Sequence, residues 1–318
     1  MKRRIGILTS GGDCPGLNAT IRGVAKACYQ MLGTENVEIV GISDGYYGLI
    51  HNICKEMKPD DFSGILTRGG TILGTKRQPF KMMKVIGDDN IDKVKNMKKT
   101  YQSQKLDCLL TLGGNGTHKT SQLLSEEGLN VIGLPKTIDN DLCITDHTPG
   151  FGSAAKYVAT TMQEITRDSS VYSAPSVTIV EIMGRNAGWL TASSVVLHAN
   201  GEVAPHLIYV PERKFSIEQF LEDTRQQMAK HKAVIIAISE GVADPEAAAF
   251  QSGVTDEFGH KYLSGIGKYL EQVVREQIGC KVRSIELNVM QRCSSHLCSK
   301  TDIDESVQIG AAGVRAAL

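Results

Sequence analysis

Aromatic residues are scarce in this chain, 5% of 318 residues with one tryptophan. That scarcity argues against stacking platforms for single-stranded nucleic acid. Charge of one sign is not in excess either: Lys plus Arg number 35, Asp plus Glu number 35, and the formal net charge is zero. No global field therefore draws the chain to nucleic acid or to an anionic membrane, and any phosphate binding must come from local clusters. No run of 18 apolar residues occurs, so no segment is expected to span a membrane. Behind Met1-Lys2-Arg3-Arg4 only a short apolar stretch precedes Ser10-Gly11-Gly12, too little for a signal peptide. The eight cysteines include no C-x-x-C pair, and several lie in apolar runs. They read as reduced thiols, mostly buried, of a cytoplasmic protein. Cys293, His296 and Cys298 read as a helix start with small residues rather than as metal ligands.

What is present is a globular composition, 41% hydrophobic and 22% charged. The length suits two domains. The 32 glycines suggest tight turns where backbone meets ligand. Short apolar runs alternate with helical periodicity. Strands are expected at 4–9, 37–42, 108–112, 131–134, 177–182, 207–210, 233–239 and 282–286. Helices are expected at 17–31, at 91–101 and after Gly152, and Ser216 with Gln219 suggests a capping box for another. Trp189 is expected as a core anchor, and the segment 241–265 as an insertion or loop. Repeated βα order with apolar strands predicts an α/β fold of two doubly wound, mostly parallel βαβ domains.

In such sheets ligands bind beyond the carboxyl ends of strands. Four turns there are unusual. Ser10-Gly11-Gly12-Asp13 can turn several N–H groups toward an anion, or can be an ordinary βα turn. Gly113-Gly114-Asn115-Gly116-Thr117 lets bare backbone approach a phosphate and speaks for a nucleoside triphosphate, without naming an acceptor. Lys136-Thr137-Ile138-Asp139-Asn140-Asp141 sets two carboxylates beside a lysine, one suited to general-base work and the other to a metal or orienting role. Met183-Gly184-Arg185 puts a guanidinium after a strand, where it can grip phosphate bidentately. Two further turns carry cations, Gly69–Arg77 and the Arg283 to Arg292 region.

In that order along nearly the whole chain, these motifs resemble those of the phosphofructokinases. The resemblance implies two domains of the phosphofructokinase type, a donor domain of 1–139 plus about 290–302 and a fructose 6-phosphate domain of 140–289 plus about 303–318. It implies transfer of a phosphoryl group from ATP, with Mg²⁺, to the 1-hydroxyl of fructose 6-phosphate in glycolysis. By the same resemblance Asp139 is the base, flanked by Thr137, while Asp141 and the position of Asn115 attend the metal. Gly12 and Arg77 attend the transferring phosphate. Tyr46, Lys76, Gly114, Asn115, Gly116 and Thr117 belong to the nucleotide site. Met183, Gly184, Arg185, Glu240, Arg283, Val289 and Arg292 belong to the sugar-phosphate site, together with Thr137 and Asp139. The family further implies a homo-oligomer, dimer or tetramer, in which Arg283 matches an arginine lent to a neighbour's site.

Several positions depart from the family pattern. Asn115 replaces a metal-associated aspartate, Ser176 an arginine, and Val289 a histidine of the phosphate grip. Arg22, Lys26 and Lys232 of the bacterial effector site stand among altered neighbours, which argues against control by ADP or phosphoenolpyruvate. The family usually continues beyond the helix in which Leu318 lies, so a shortened form or an unfinished sheet edge is expected. Donor choice turns on two residues. Pyrophosphate users carry aspartate where Gly116 stands, and Lys136 points toward pyrophosphate. A bare glycine leaves space for the α-phosphate of ATP, so ATP is the expected donor and pyrophosphate the alternative. A non-catalytic sugar-phosphate-binding paralogue is the remaining possibility.

Overall fold

The computed structural model describes residues 2–86, 90–242 and 265–318, which divide into two compact units. Most of the 241–265 segment, expected as an insertion, lies outside the described residues. No helix among the described residues is long and apolar enough to cross a membrane.

The first unit comprises Met1–Ile138, Leu142–Ser153 and Arg292–Leu318. Its sheet contains β1 (Arg3–Thr9), β2 (Val37–Ile42), β3 (Cys54–Met57), β4 (Cys108–Gly113) and β5 (Val131–Pro135), in the order β3-β2-β1-β4-β5. The β1, β2, β4 and β5 neighbours run parallel, with Ile5 opposite Ile39 and Cys108. The β3 edge, unforeseen in the sequence, pairs antiparallel with β2. Only Met57 of Cys54-Lys55-Glu56-Met57 is buried, so the segment lacks the apolar run that marks the inner strands. The helices here are α1 (Leu17–Leu32), α2 (Tyr46–His51), α3 (Lys93–Ser103) and α4 (Asn115–Glu126). Helix α3 begins two residues later than its periodicity suggests, because Asp92 caps it by accepting from Lys95 N at 2.9 Å. Successive strand residues face opposite sides. Ile5, Ile7, Ile39 and Leu110 pack with α1 residues Ile21, Val24 and Cys28. Leu8, Val40, Ile42 and Leu109 pack with Leu49, Met97, Tyr101 and Leu123.

The second unit comprises Asp139–Asp141 and Ala154–Gln291. Its sheet holds β6 (Ser176–Ile182), β7 (Leu207–Tyr209), β8 (Ala233–Ser239) and β9 (Lys281–Glu286), all parallel, in the order β7-β8-β6-β9. Its helices are α5 (Phe151–Ser170), most of which belongs to this unit, α6 (Ile217–Met228) and α7 (Ile266–Gln277). Val177, Ile179, Val234 and Ile236 form its core with Phe220, Leu270 and Val274. Half of the expected capping box forms at α6. Ser216 Oγ accepts from Gln219 N at 3.3 Å, but the Gln219 side chain turns to Asp223 at 2.7 Å.

The closing helix α8 (Lys300–Ala317) corrects the expected partition, which gave 303–318 to the second domain. It lies on α1 in the first unit, with Val314 in that unit's core. The two backbones approach so closely that a methyl group at Gly23 would overlap the Val307 carbonyl, and one at Gly310 the Thr20 carbonyl. Leu142–Ser153 likewise belong to the first unit rather than the second.

Candidate active site

In the first unit three strand ends are tied together by backbone. Ser10 N donates to Leu112 O at 2.8 Å, so the turn after β1 lies against the end of β4. Lys136 N, just after β5, donates to Gly113 O at 3.1 Å. The Lys136 side chain is 6% exposed, and its ammonium donates to Gly12 O, which offsets part of the cost of burying a charge. Gly11 has φ +92°, which a side chain would strain. At Gly11, Gly12 and Gly116 an added Cβ would meet nothing within 4 Å. The turns are thus open where an anion could reach backbone N–H groups. Gly114 begins α4 with no side-chain cap, and no acidic residue sits in the first turn of that helix. Asn115 and Gly116 are exposed. Thr117 is buried with its hydroxyl directed to Ser10 O at 3.3 Å.

The segment carrying Lys76 and Arg77 is anchored to the same turns. Asn18 Nδ2 donates to Arg68 O at 2.9 Å and Gly70 O at 2.8 Å, and its Oδ1 accepts from Ile72 N at 2.9 Å. Asp13 Oδ1 accepts from Thr71 N at 3.2 Å. Thr75 Oγ1 donates to Gly11 O at 2.6 Å, immediately before the two exposed cations. The Lys76 ammonium lies 3.9 Å from the centroid of the Tyr47 ring.

Tyr46, expected at the nucleotide, is 1% exposed. Its hydroxyl donates to Thr117 O at 2.9 Å and lies 3.0 Å from Ser121 Oγ, and burial pushes its pKa up to about 12. Tyr46 therefore supports the start of α4 from beneath.

In the second unit the end of β6 is built around Glu240. Glu240 N donates to Ile182 O at 2.9 Å, and its carboxylate faces Gly184 N at 3.5 Å. Ser239 Oγ donates to Gly184 O at 2.6 Å, and Met183 N approaches Gln291 Oε1 at 3.4 Å. Burial pushes the Glu240 carboxyl up to about 7. The Gly184 N–H opposes that rise, the charges of Asp139 and Glu181 add to it, and Arg185 opposes it. Asp139, Arg185 and Glu240 thus share one electrostatic neighbourhood. Near the end of β6 stands a second carboxylate, Glu181. It is buried and accepts from Gly267 N at 2.8 Å and Gly265 N at 3.2 Å, at the start of α7. Burial raises its pKa as well.

The other expected residues are more dispersed. Thr137 is buried, accepts from Thr148 Oγ1 at 2.9 Å and pairs with Gly150 in an isolated bridge. Arg283 lies on β9 with its guanidinium 3.5 Å from Asp168. Arg292 groups with the first unit, and its buried Nε has no hydrogen-bond partner among the described residues. Val289 is exposed. Trp189 is no core anchor: it is 58% exposed, and the adjacent Leu190 takes the buried place.

Two units with mostly parallel sheets, one ending in open glycine turns and the other in a carboxylate–arginine cluster, define a two-domain α/β protein. The chain belongs to the phosphofructokinase family, whose model matches residues 4–316. It is 41% identical over 295 residues to an ATP-dependent 6-phosphofructokinase of Spirochaeta thermophila, covering 91% of this chain and 78% of that one. It is 38% identical over 293 residues to a pyrophosphate–fructose 6-phosphate 1-phosphotransferase of Amycolatopsis methanolica, covering 91% and 80%. A crystal structure of a pyrophosphate-dependent phosphofructokinase from Marinobacter aquaeolei matches with a TM-score of 0.80 at 26% identity, covering 98% of this chain and 75% of that one.

Proposed function

We propose that the chain is an ATP-dependent 6-phosphofructokinase, acting in the cytoplasm on fructose 6-phosphate. The observation that carries the donor half of this reading is the open backbone at Gly11, Gly12 and Gly116, on turns bonded to one another. Phosphoryl transfer asks mainly for positioning and charge stabilisation, and bare N–H groups with an adjacent Arg77 supply both. Asp139 takes the proton from the 1-hydroxyl of the sugar. The alkoxide oxygen bonds to the γ-phosphorus, the bond to the bridging oxygen breaks, and ADP departs. Gly12 N–H and Arg77 hold the transferring group. Met183, Gly184 and Glu240 orient the sugar, and Arg185 grips its 6-phosphate.

Mg²⁺ keeps several waters and is usually held by one or two carboxylates together with substrate phosphates. The donor set fits that modest demand. Asp141 and Asn115 are exposed at two turns, and the described residues contain no group of three or more His, Cys, Asp or Glu suited to a full protein cage. Asp141, together with the phosphates of the donor, would hold the ion, whose charge would offset theirs.

A second reading takes pyrophosphate as the donor. Lys136 favours it, because its ammonium is committed to the Gly12 turn itself. Initial rates with fructose 6-phosphate and Mg²⁺, measured with ATP and with pyrophosphate side by side, decide between them. A higher kcat/KM with ATP is expected. A higher value with pyrophosphate would reverse the donor, and no turnover with either would leave a non-catalytic paralogue. The enzyme is further expected to be a homo-oligomer, dimer or tetramer, with Arg283 serving a neighbour's site. An active monomer in sedimentation would refute that assembly.

A further inference from the structure

Asp302 stands in the first turn of α8 and is 4% exposed. An acidic residue near a helix start gains from the dipole without being buried, so burial calls for another reason. Among the described residues no cation pairs with it. Its partners are neutral: Gly150 N donates to Oδ1 at 2.9 Å, and the Ser153 hydroxyl donates to Oδ2. Ser153 Oγ in turn accepts from Ser299 N at 3.1 Å. Burial raises the pKa of the carboxyl, while these bonds oppose the rise.

The contacts lead outward from Asp302 to the reactive segment. Gly150 has φ +101°, and a methyl group there would overlap Cys14 Sγ, so the residue has no room to shift on that side. Gly150 bridges to Thr137, and Thr148 Oγ1 donates to Thr137 O at 2.9 Å. On the other side, Lys136 N is bonded to Gly113 O at 3.1 Å. Thr137 is therefore clamped on both sides, and the chain reaches Asp139 two residues later.

We infer that Asp302 is a positioning residue for phosphoryl transfer: through Gly150 it fixes the backbone at Thr137 from which the chain reaches Asp139. The inference rests on the reading of Asp139 as the base. Asp302 touches no substrate. Without its acceptors the Gly150 N–H is left unsatisfied and the clamp on Thr137 loosens on one side. An error of about 1 Å in a reacting group can cost about 10²-fold in rate.

The test uses the full chain. Asp302→Leu removes both acceptors at nearly constant size, while Asp302→Asn keeps one for Gly150 N–H. In the leucine variant kcat should fall about 10–10²-fold with the KM of each substrate within about twofold, and the asparagine variant should restore most of the rate. In an Asp139→Asn background, Asp302→Leu should add no further loss of kcat, because the two residues serve one step. A purely structural role would lower the thermal midpoint, leave kcat of the folded enzyme intact and multiply with the Asp139 loss; that pattern overturns the inference. If the leucine variant does not fold, Ser153→Ala decides. A several-fold fall in kcat at unchanged KM supports the inference, and unchanged kcat overturns it. If Asp139→Asn is inactive while Asp302→Leu keeps wild-type kcat, the positioning role alone fails. If Asp139→Asn keeps its rate, the assignment of the base fails and takes the inference with it.

Discussion

At the carboxyl ends of the first sheet the groups left open are backbone amides on Gly11, Gly12 and Gly116. The carboxyl ends of the second carry side chains instead, Arg185 and Glu240, with Asp139 in the same unit. A backbone site carries no titratable group of its own and is damaged chiefly by adding a side chain. A side-chain site titrates, because burial and nearby negative charge raise the Glu240 carboxyl, and it is damaged by removing a group. The two halves should therefore respond to opposite kinds of change.

The largest effect is expected where removal strikes chemistry. Asp139→Asn is nearly isosteric, so the fold should persist while kcat falls about 10²–10⁴-fold, the usual cost of losing a general base. A fall of less than tenfold at saturating substrate would show that another group takes the proton. The complementary change is an addition. A Cβ added at Gly116 meets no atom within 4 Å, so for Gly116→Asp circular dichroism and thermal midpoint should be those of the wild type. Its carboxylate should repel the ATP phosphates and lower kcat/KM for ATP on the order of 10²-fold, while with Lys136 in place pyrophosphate use should rise. An unstable variant, or one with undiminished ATP use, would contradict the open-backbone description.

A smaller effect separates the halves by pH. Burial raises Glu240 from 4.5 to about 7. Its contribution to stability is complete below about pH 4.5 and is lost as pH rises through about 7, since the folded state increasingly holds a disfavoured charge. Glu240→Gln cannot ionise. Relative to the wild type it should be equally stable in acid and more stable by on the order of 1–3 kcal/mol above pH 7. Denaturant titrations showing a gap independent of pH would rule this out. The smallest effect belongs to Tyr46. Tyr46→Phe should cost about 1 kcal/mol of stability through its lost hydroxyl bonds, with the KM for ATP unchanged. A raised ATP KM at unchanged stability would return Tyr46 to the nucleotide.

How far the sequence could be read follows from the same physics. Inner strands such as Cys108–Gly113 and Ala233–Ser239 are apolar throughout and bounded by turns, so their limits were legible nearly to the residue. The edge strand Cys54–Met57 was not, because half of its side chains are charged and turned to solvent. The glycine turns were legible because bare backbone has a residue-level signature. The tryptophan was misread because hydrophobicity alone does not give its direction. The burial of Tyr46 was not legible, because carrying a position over from a family does not reveal its surroundings. Asp302 resembles any acidic residue at a helix start. Its partners at Gly150 and Ser153 lie some 150 residues away, and no local pattern announces them.

The backbone contact between α1 and α8 also bears on how the molecule is made. Helix α1 ends at Leu32, and the helix that covers it starts at Lys300. At about 5–20 residues per second, α1 emerges from a ribosome on the order of 15–50 s before its cover exists. During that time the glycine-lined groove around Gly23 has no occupant from its own unit. The second unit ends at Gln291, so its chain is complete while the first, begun earlier, still lacks a wall. Synthesis and completion thus run in opposite orders. Chains stalled on the ribosome shortly after residue 291, with a tail long enough to clear the exit tunnel, should resist protease within 154–242 and 265–291 and yield to it within 2–86 and 90–138. Equal resistance in both segments would mean that α1 can shelter without α8.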